Sequence, residues 1–244
     1  MIHGVLPELR KANIAHAVTL GLPRLHGRPF GSDSLSIVCF GPSLKDTWRH
    51  IRRPFMTVSG AHDFMLAHGF RPDYHVQCDP REHKAKFLTH PQRKTKYLLA
   101  STCHPKVFEA LQDHDVTLWH LGEPETADWI REKAPGEEMI GGGTNVGLRA
   151  FEVAARLGYR RFKVYGLDCS FRFGEQWAGA HPGEAHSAIP VRCDGKTFLS
   201  SPVMVEAAGE LLRMILKYDI QVTMHGAGLA QTLIAEAIKT QELA

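Results

Sequence analysis

What most constrains this chain is an alternation: short apolar runs end abruptly in Gly, Asp or Pro, and each is followed by a stretch with helical spacing. The run Ser34-Leu35-Ser36-Ile37-Val38-Cys39-Phe40 stops at Gly41-Pro42-Ser43, after which Leu44 to Ile51 suits a helix. Residues 55–59, 74–78, 97–101, 116–121 and 162–165 repeat the strand signal, with helical stretches at 61–68, 106–112, 126–133 and 144–157. Helix-length connections between strands demand parallel pairing, because antiparallel neighbours need only a tight turn. Such crossovers are right-handed. The expectation is an α/β, Rossmann-like fold, a mostly parallel sheet with helices on both faces.

The chain has 244 residues, enough for one sizeable core. Residues 1–33 are expected to form a leading helix and a Gly-Pro-rich linker, and residues 34–244 a single Rossmann-like domain. Between 169 and 200 the rhythm breaks into Gly, His and aromatic residues without a period, the mark of an irregular functional flap. A helix at 203–216, a strand at 220–224, the turn Gly226-Ala227-Gly228 and a terminal helix to about Lys239 complete the pattern.

Composition narrows the function classes. Hydrophobic residues at 43% and charged residues at 23% exclude a largely disordered or fibrous chain. No run of about 18 apolar residues occurs, so no membrane partner is expected, and without a signal-peptide pattern the expected location is cytoplasmic. A net charge of +3 is too small to imply a nucleic-acid partner, and the local cluster Lys84, Lys86, Arg93, Lys94 and Lys96 is expected to be a solvated face. Five cysteines without a C-x-x-C pair, and fifteen scattered histidines without H-E-x-x-H spacing, suggest reduced thiols and no dedicated metal cage. The expected partner is a small phosphorylated molecule, with homo-oligomerisation left open.

In an open α/β sheet, ligands bind beyond the carboxyl ends of the strands, where helix amino termini aim free N–H groups. Gly41, Pro42 and Ser43 occupy such a place, with Gly41 for close backbone approach and Ser43 as a hydroxyl beside a helix start. Gly141-Gly142-Gly143-Thr144-Asn145 is sharper, since Gly142 and Gly143 form a nest for an anion and Thr144 or Asn145 can cap the next helix. It is neither a Walker loop nor a G-x-G-x-x-G fingerprint. Ser101 follows another strand and joins the candidate ligand-binding set. Asp79 and Asp168, each just after a strand, are candidate catalytic or metal-holding carboxylates: each can hold Mg²⁺ on a polyphosphate, bond a substrate hydroxyl or ring, or cap a helix. His181 and His186 in the flap are candidate acid-base or phosphate-neutralising residues, with Glu184 a weaker one.

The order of these motifs resembles the 6-hydroxymethylpterin diphosphokinase MptE-like family, a former domain of unknown function also found in flagellin-glycosylation accessory proteins. Gly41-Pro42-Ser43-Leu44, His68-Gly69-Phe70-Arg71-Pro72-Asp73 leading to Asp79-Pro80, Gly143-Thr144-Asn145-Val146, Gly158-Tyr159 and Gly166-Leu167-Asp168 carry the resemblance, over roughly residues 34–225. It implies a Rossmann-like fold and diphosphate transfer from ATP, with Mg²⁺, to a hydroxymethyl-dihydropterin. In that picture the glycine turns cradle phosphates, and Asp79 and Asp168 hold metal or substrate. Thr144-Asn145 stands where the family often has Ser, and Leu167 where it has Gln or Thr, so the substrate end of the pocket departs from the pattern. The Gly-Pro-Ser-Leu turn is also similar to bacterial sialyltransferases that use a nucleotide-linked sugar, and a non-catalytic accessory module of the same fold stays open as well.

Overall fold

The computed structural model describes residues 5–181, 186–218 and 220–242. Eight strands form one sheet: β1 (Ser34–Val38), β2 (Phe55–Val58), β3 (Tyr74–Gln77), β4 (Lys96–Ala100), β5 (Asp115–Leu121), β6 (Met139–Ile140), β7 (Arg161–Tyr165) and β10 (Gln221–His225). Their order is β10-β7-β1-β2-β3-β4-β5-β6, and every pairing is parallel. In β1, residues 35–38 are buried on both faces, which explains its unbroken apolar run.

Helices cover both faces. α6 (Val146–Arg156) starts at Asn145, whose Oδ1 accepts the Leu148 N–H at 3.0 Å, and lies across β1, β2 and β3. On the other face, Leu44 of the short α2 (Leu44–Thr47) and Ala61 and Met65 of α3 (Ala61–Ala67) pack with Val38 and Phe55. α4 (Pro105–Glu109), α5 (Pro124–Lys133), α7 (Pro202–Lys217) and α8 (Leu229–Glu242) complete the fold; α7 is capped by Ser201 and opened by Pro202.

The leading segment is built into this body. α1 (Pro7–Thr19) packs on α5, with Arg10, Asn13, Ile14 and Ala17 buried. The stretch after it pairs with β5: the Leu25 N–H donates to the Leu118 carbonyl at 2.8 Å, and the Leu118 N–H to Pro23 at 2.8 Å. Residues 20–33 are therefore not a free tether.

The expected irregular flap is half regular. β8 (Ile189–Cys193) and β9 (Lys196–Ser200) form an antiparallel hairpin, turned by Asp194 and Gly195 with φ of 48° and 69°. An Asp-Gly pair with both residues left-handed is the two-residue hairpin turn, a signal that the irregular composition around it obscures. Among the described residues no helix is long and apolar enough to cross a membrane.

From β1 the chain steps outward to β6, then returns to the far side of β1 through β7 and β10. The reversal lies between β1 and β7, and the loops beyond their carboxyl ends converge there.

Candidate functional site

At the reversal, the Gly41 N–H donates to the Gly166 carbonyl at 2.7 Å. A Cβ on Gly41 would stand 2.5 Å from that oxygen and 2.6 Å from Asp168 Oδ2, so glycine is required for the two loops to touch. Ser43 is spent in the same joint: its N–H donates to Asp168 Oδ2 at 2.8 Å, and its hydroxyl to Oδ1 at 2.5 Å. Gln231 Nε2, from α8, donates to Oδ1 at 3.0 Å. Asp168 is 4% exposed; burial raises its pKa above the usual carboxylate range, against the pull of the Ser43 and Gln231 donors. Sequence reasoning placed a phosphate over Ser43, whereas the anion that meets its donors is Asp168.

The same substitution occurs at the glycine-rich turn. Gly142 and Gly143 have φ of 91° and 76°, and a Cβ on Gly143 would lie 2.3 Å from that of Leu148. Thr144 donates its N–H to Glu210 Oε2 at 2.7 Å and its hydroxyl to the same oxygen. The helix cap is Asn145, not Thr144. The donors at the end of this turn, both from Thr144, therefore hold the carboxylate of Glu210 from α7.

Beyond β3 the arrangement is more open. Asp79 Oδ1 accepts the Arg81 N–H at 3.0 Å, its Oδ2 the Arg81 guanidinium at 2.9 Å, and the Lys84 ammonium lies 3.5 Å from Oδ2. Lys84 belongs to the 3-10 stretch Glu82–Phe87 and is buried, unlike Lys86, Arg93 and Lys94, which are exposed as expected. Burial lowers its pKa, and Asp79 opposes that shift. His83 is held below its ordinary value by burial and then by Lys84, which keeps its imidazole neutral. Asn13 of α1 braces this loop through the Pro80 carbonyl at 3.1 Å.

One cavity of about 630 Å³ joins these groups, within the usual range for small-molecule sites. Gly41, Pro42, Asp79, Thr144, Asn145, Asp168, His181 and His186 all line it. An aromatic wall forms one side: the His181 ring stacks on Trp177 at 3.9 Å and 7°, with Phe40 at 6.5 Å, and Phe87 backs His181 at 4.9 Å without lining the cavity. The His186 N–H donates to Gln176 Oε1 at 2.8 Å. Glu184 lies outside the described residues.

Four expected binding residues stand apart, Ser43 among them, since it is held on Asp168 and does not line the cavity. Ser101 is fully buried, bonded to His120 Nδ1 at 2.8 Å, and does not line the cavity. Gly142 and Gly143 line a neighbouring hollow of about 300 Å³ that shares Thr144 and Arg149 with the main cavity. Arg149 sits in a buried triad: its Nη2 donates to Glu123 Oε1 at 2.8 Å, and Arg10 Nη1 donates to Glu123 Oε2 at 2.6 Å. Sequence reasoning missed Arg81, His83, Arg149, Trp177 and Gln77; Asp-Pro-Arg-Glu-His-Lys, directly after a strand, was the available signal for the first two. All five cysteines are free, and burial pushes the Cys169 thiol up to about 12.

The family model for 6-hydroxymethylpterin diphosphokinase MptE-like proteins matches residues 11–174. The chain belongs to the MptE-like family. Within the MptE-like match lie the Gly41 turn, Asp79, Lys84, the glycine-rich turn and Asp168, whereas His181 and His186 fall beyond it. No curated protein matches this MptE-like chain. Among solved structures, the MAf glycosyltransferase from Magnetospirillum magneticum AMB-1 matches with a TM-score of 0.69 and 17% identity, over 98% of this chain and 42% of that one. The chain thus spans less than half the length of that glycosyltransferase, and at this identity the likeness shows a shared fold.

Proposed function

We propose that this MptE-like chain is a nucleotide-dependent transferase that hands the diphosphate of ATP to the hydroxyl of a flat heterocyclic alcohol, a hydroxymethyl-dihydropterin or a close analogue. One observation carries the reading: at the sheet's reversal point, a single cavity joins a charged group, Asp79 with Arg81, Lys84 and Arg149, to a wall of stacked rings. The family's name supports the reaction class.

The expected Mg²⁺ fits Asp79 better than Asp168. Magnesium takes one or two carboxylate oxygens and completes its shell with phosphate and water. Both carboxylates line the cavity and accept hydrogen bonds, Asp168 from Ser43 and Gln231 and Asp79 from Arg81, but the Asp79 side chain is 19% exposed and Asp168 only 4%. Among the described residues no three His, Cys, Asp or Glu side chains converge on a metal-sized gap, which suits an ion carried in with the nucleotide. When bound, the ion would neutralise phosphate charge.

In this mechanism the substrate oxygen attacks the β-phosphorus, the bond from that phosphorus to the bridging oxygen of the α-phosphate breaks, and AMP leaves. Arg81 and Lys84 stabilise the oxygens on which charge develops. His181 or His186 takes the hydroxyl proton, and neutral His83 is a further acceptor in the same cavity. Asp168 positions the β1 and β7 loops.

A second reading, transfer from a nucleotide-linked sugar, is favoured by the fold shared with a glycosyltransferase over 98% of the chain. A thermal-shift screen against ATP, CMP, a CMP-sugar, a UDP-sugar and a reduced hydroxymethylpterin, each with and without Mg²⁺, separates the two. Ligand at a hundred times its dissociation constant adds about 2.7 kcal/mol of stability. Stabilisation by ATP with Mg²⁺ and by the pterin supports diphosphate transfer, stabilisation by a nucleotide sugar supports the second reading, and no shift at all overturns both.

A further inference from the structure

Two residues that line the cavity each carry a buried side-chain nitrogen with no hydrogen-bond partner among the described residues, Gln77 Nε2 and His83 Nε2. Gln77 is the deeper group, 1% exposed, at the carboxyl end of β3. A buried amide donor without a partner destabilises a fold, and natural structures keep few of them. The neighbouring polar groups each have a partner within the protein: Asp168 in Ser43 and Gln231, Asp79 in Arg81, Thr144 in Glu210.

Its position says what it faces. Side chains two apart on a strand share a face, so Gln77 is on the side of His75, whose ring meets His62 of α3 at 5.0 Å. Phe40 meets Phe64 of that same helix at 6.1 Å. Gln77 and the aromatic wall therefore lie on one side of the sheet and open into one cavity.

From this we infer that Gln77 is a specificity-determining residue, whose side-chain N–H donates to an acceptor, a carbonyl oxygen or an unprotonated ring nitrogen, on the edge of the heterocycle that the aromatic wall receives. This rests on the transferase reading above and deepens it: stacking selects a flat ring, and Gln77 selects one with an acceptor on its buried edge. A site built to hydrogen-bond its substrate discriminates strongly against a ring without that group.

The test is calorimetric titration of the full chain and of Gln77→Leu with 6-hydroxymethyl-7,8-dihydropterin, ATP with Mg²⁺, CMP, and pyrophosphate with Mg²⁺, which has no ring, alongside the melting temperature of each free protein. The expected result is that Gln77→Leu melts at or above the wild-type temperature and binds pyrophosphate unchanged, but binds the ring ligands tenfold or more weakly. A lower melting temperature, or equal weakening towards pyrophosphate, makes Gln77 a structural residue and overturns the inference. Unchanged affinity for every ring ligand overturns it alone, as does wild-type binding of pyrophosphate without any ring ligand. Should wild type bind none of the probes, the transferase reading itself fails and takes the inference with it.

Discussion

Ser43 and Asp168 meet through two hydrogen bonds, hydroxyl to Oδ1 at 2.5 Å and N–H to Oδ2 at 2.8 Å, so one carboxylate clasps the turn after β1 to the turn after β7. Asp168→Ala is expected to cost about 3 kcal/mol in urea denaturation, because it orphans a buried N–H, a hydroxyl and the Gln231 amide together. Ser43→Ala, which keeps the N–H bond, should cost about 1 to 2 kcal/mol. Full stability in Asp168→Ala with lost turnover would return Asp168 to the catalytic group.

The nest at Thr144 gives a second prediction. Removing its carboxylate in Glu210→Ala frees the Thr144 N–H and hydroxyl, so pyrophosphate should bind more tightly in low salt, while stability falls by about 1 to 2 kcal/mol. Unchanged pyrophosphate affinity would show that phosphates do not reach this turn.

Glu123 neutralises two buried guanidiniums, those of Arg10 and Arg149. Burial alone would raise its pKa, but Arg149 and Arg10 outweigh it and hold the carboxyl below the usual range. Glu123→Gln takes the carboxylate from Arg149 and leaves Arg10 only that of Glu125 at 3.8 Å, and a loss of about 3 to 5 kcal/mol is expected from denaturant midpoints. Arg149 also lines the cavity, so ligand affinity should fall with it. A loss under about 1 kcal/mol would mean that water reaches the triad.

Mild acid should weaken the fold. Burial, then the neighbouring His62, holds the fully buried His75 well below its ordinary pKa, and burial also lowers His120 despite its bond to Glu137. The folded pKa is depressed, so the unfolded chain binds protons that the folded one refuses. The stability is fully present above about pH 6.5 and is lost as pH falls from there, by about 1.4 kcal/mol per pH unit for each such histidine. Denaturation at pH 7.5, 6.0 and 5.5 checks this, and His75→Leu should flatten the slope by about one proton. Equal wild-type stability at pH 7.5 and 5.5 would refute it.

Much of the architecture was legible because apolar periodicity reports burial directly: β1, β3 and β5 are buried strands, and α6 begins at a capping Asn145. What escaped was set by tertiary pairing. β6 has two residues, too few for any period, and residues 23–25 pair with β5 without any strand pattern of their own. In the site, the glycine turns were legible as anion nests, but Asp168 and Glu210 come from 125 and 66 residues away, and no local signal announces them. Ser101 failed for a simpler reason: following a strand does not fix which way a side chain turns, and its hydroxyl is bonded to His120 inside the protein.

The strand order also carries a timetable. β1 is synthesised before β7 and must wait for it, since Ser34 takes its place beside Arg161 and Val38 beside Tyr165. Until then β1 has an open edge, and the half-made sheet β1 to β6 exposes it to any other extended chain. The crevice cannot exist before residue 168 has been added, so a nascent chain acquires this cavity only after strands β1 to β7 have been made.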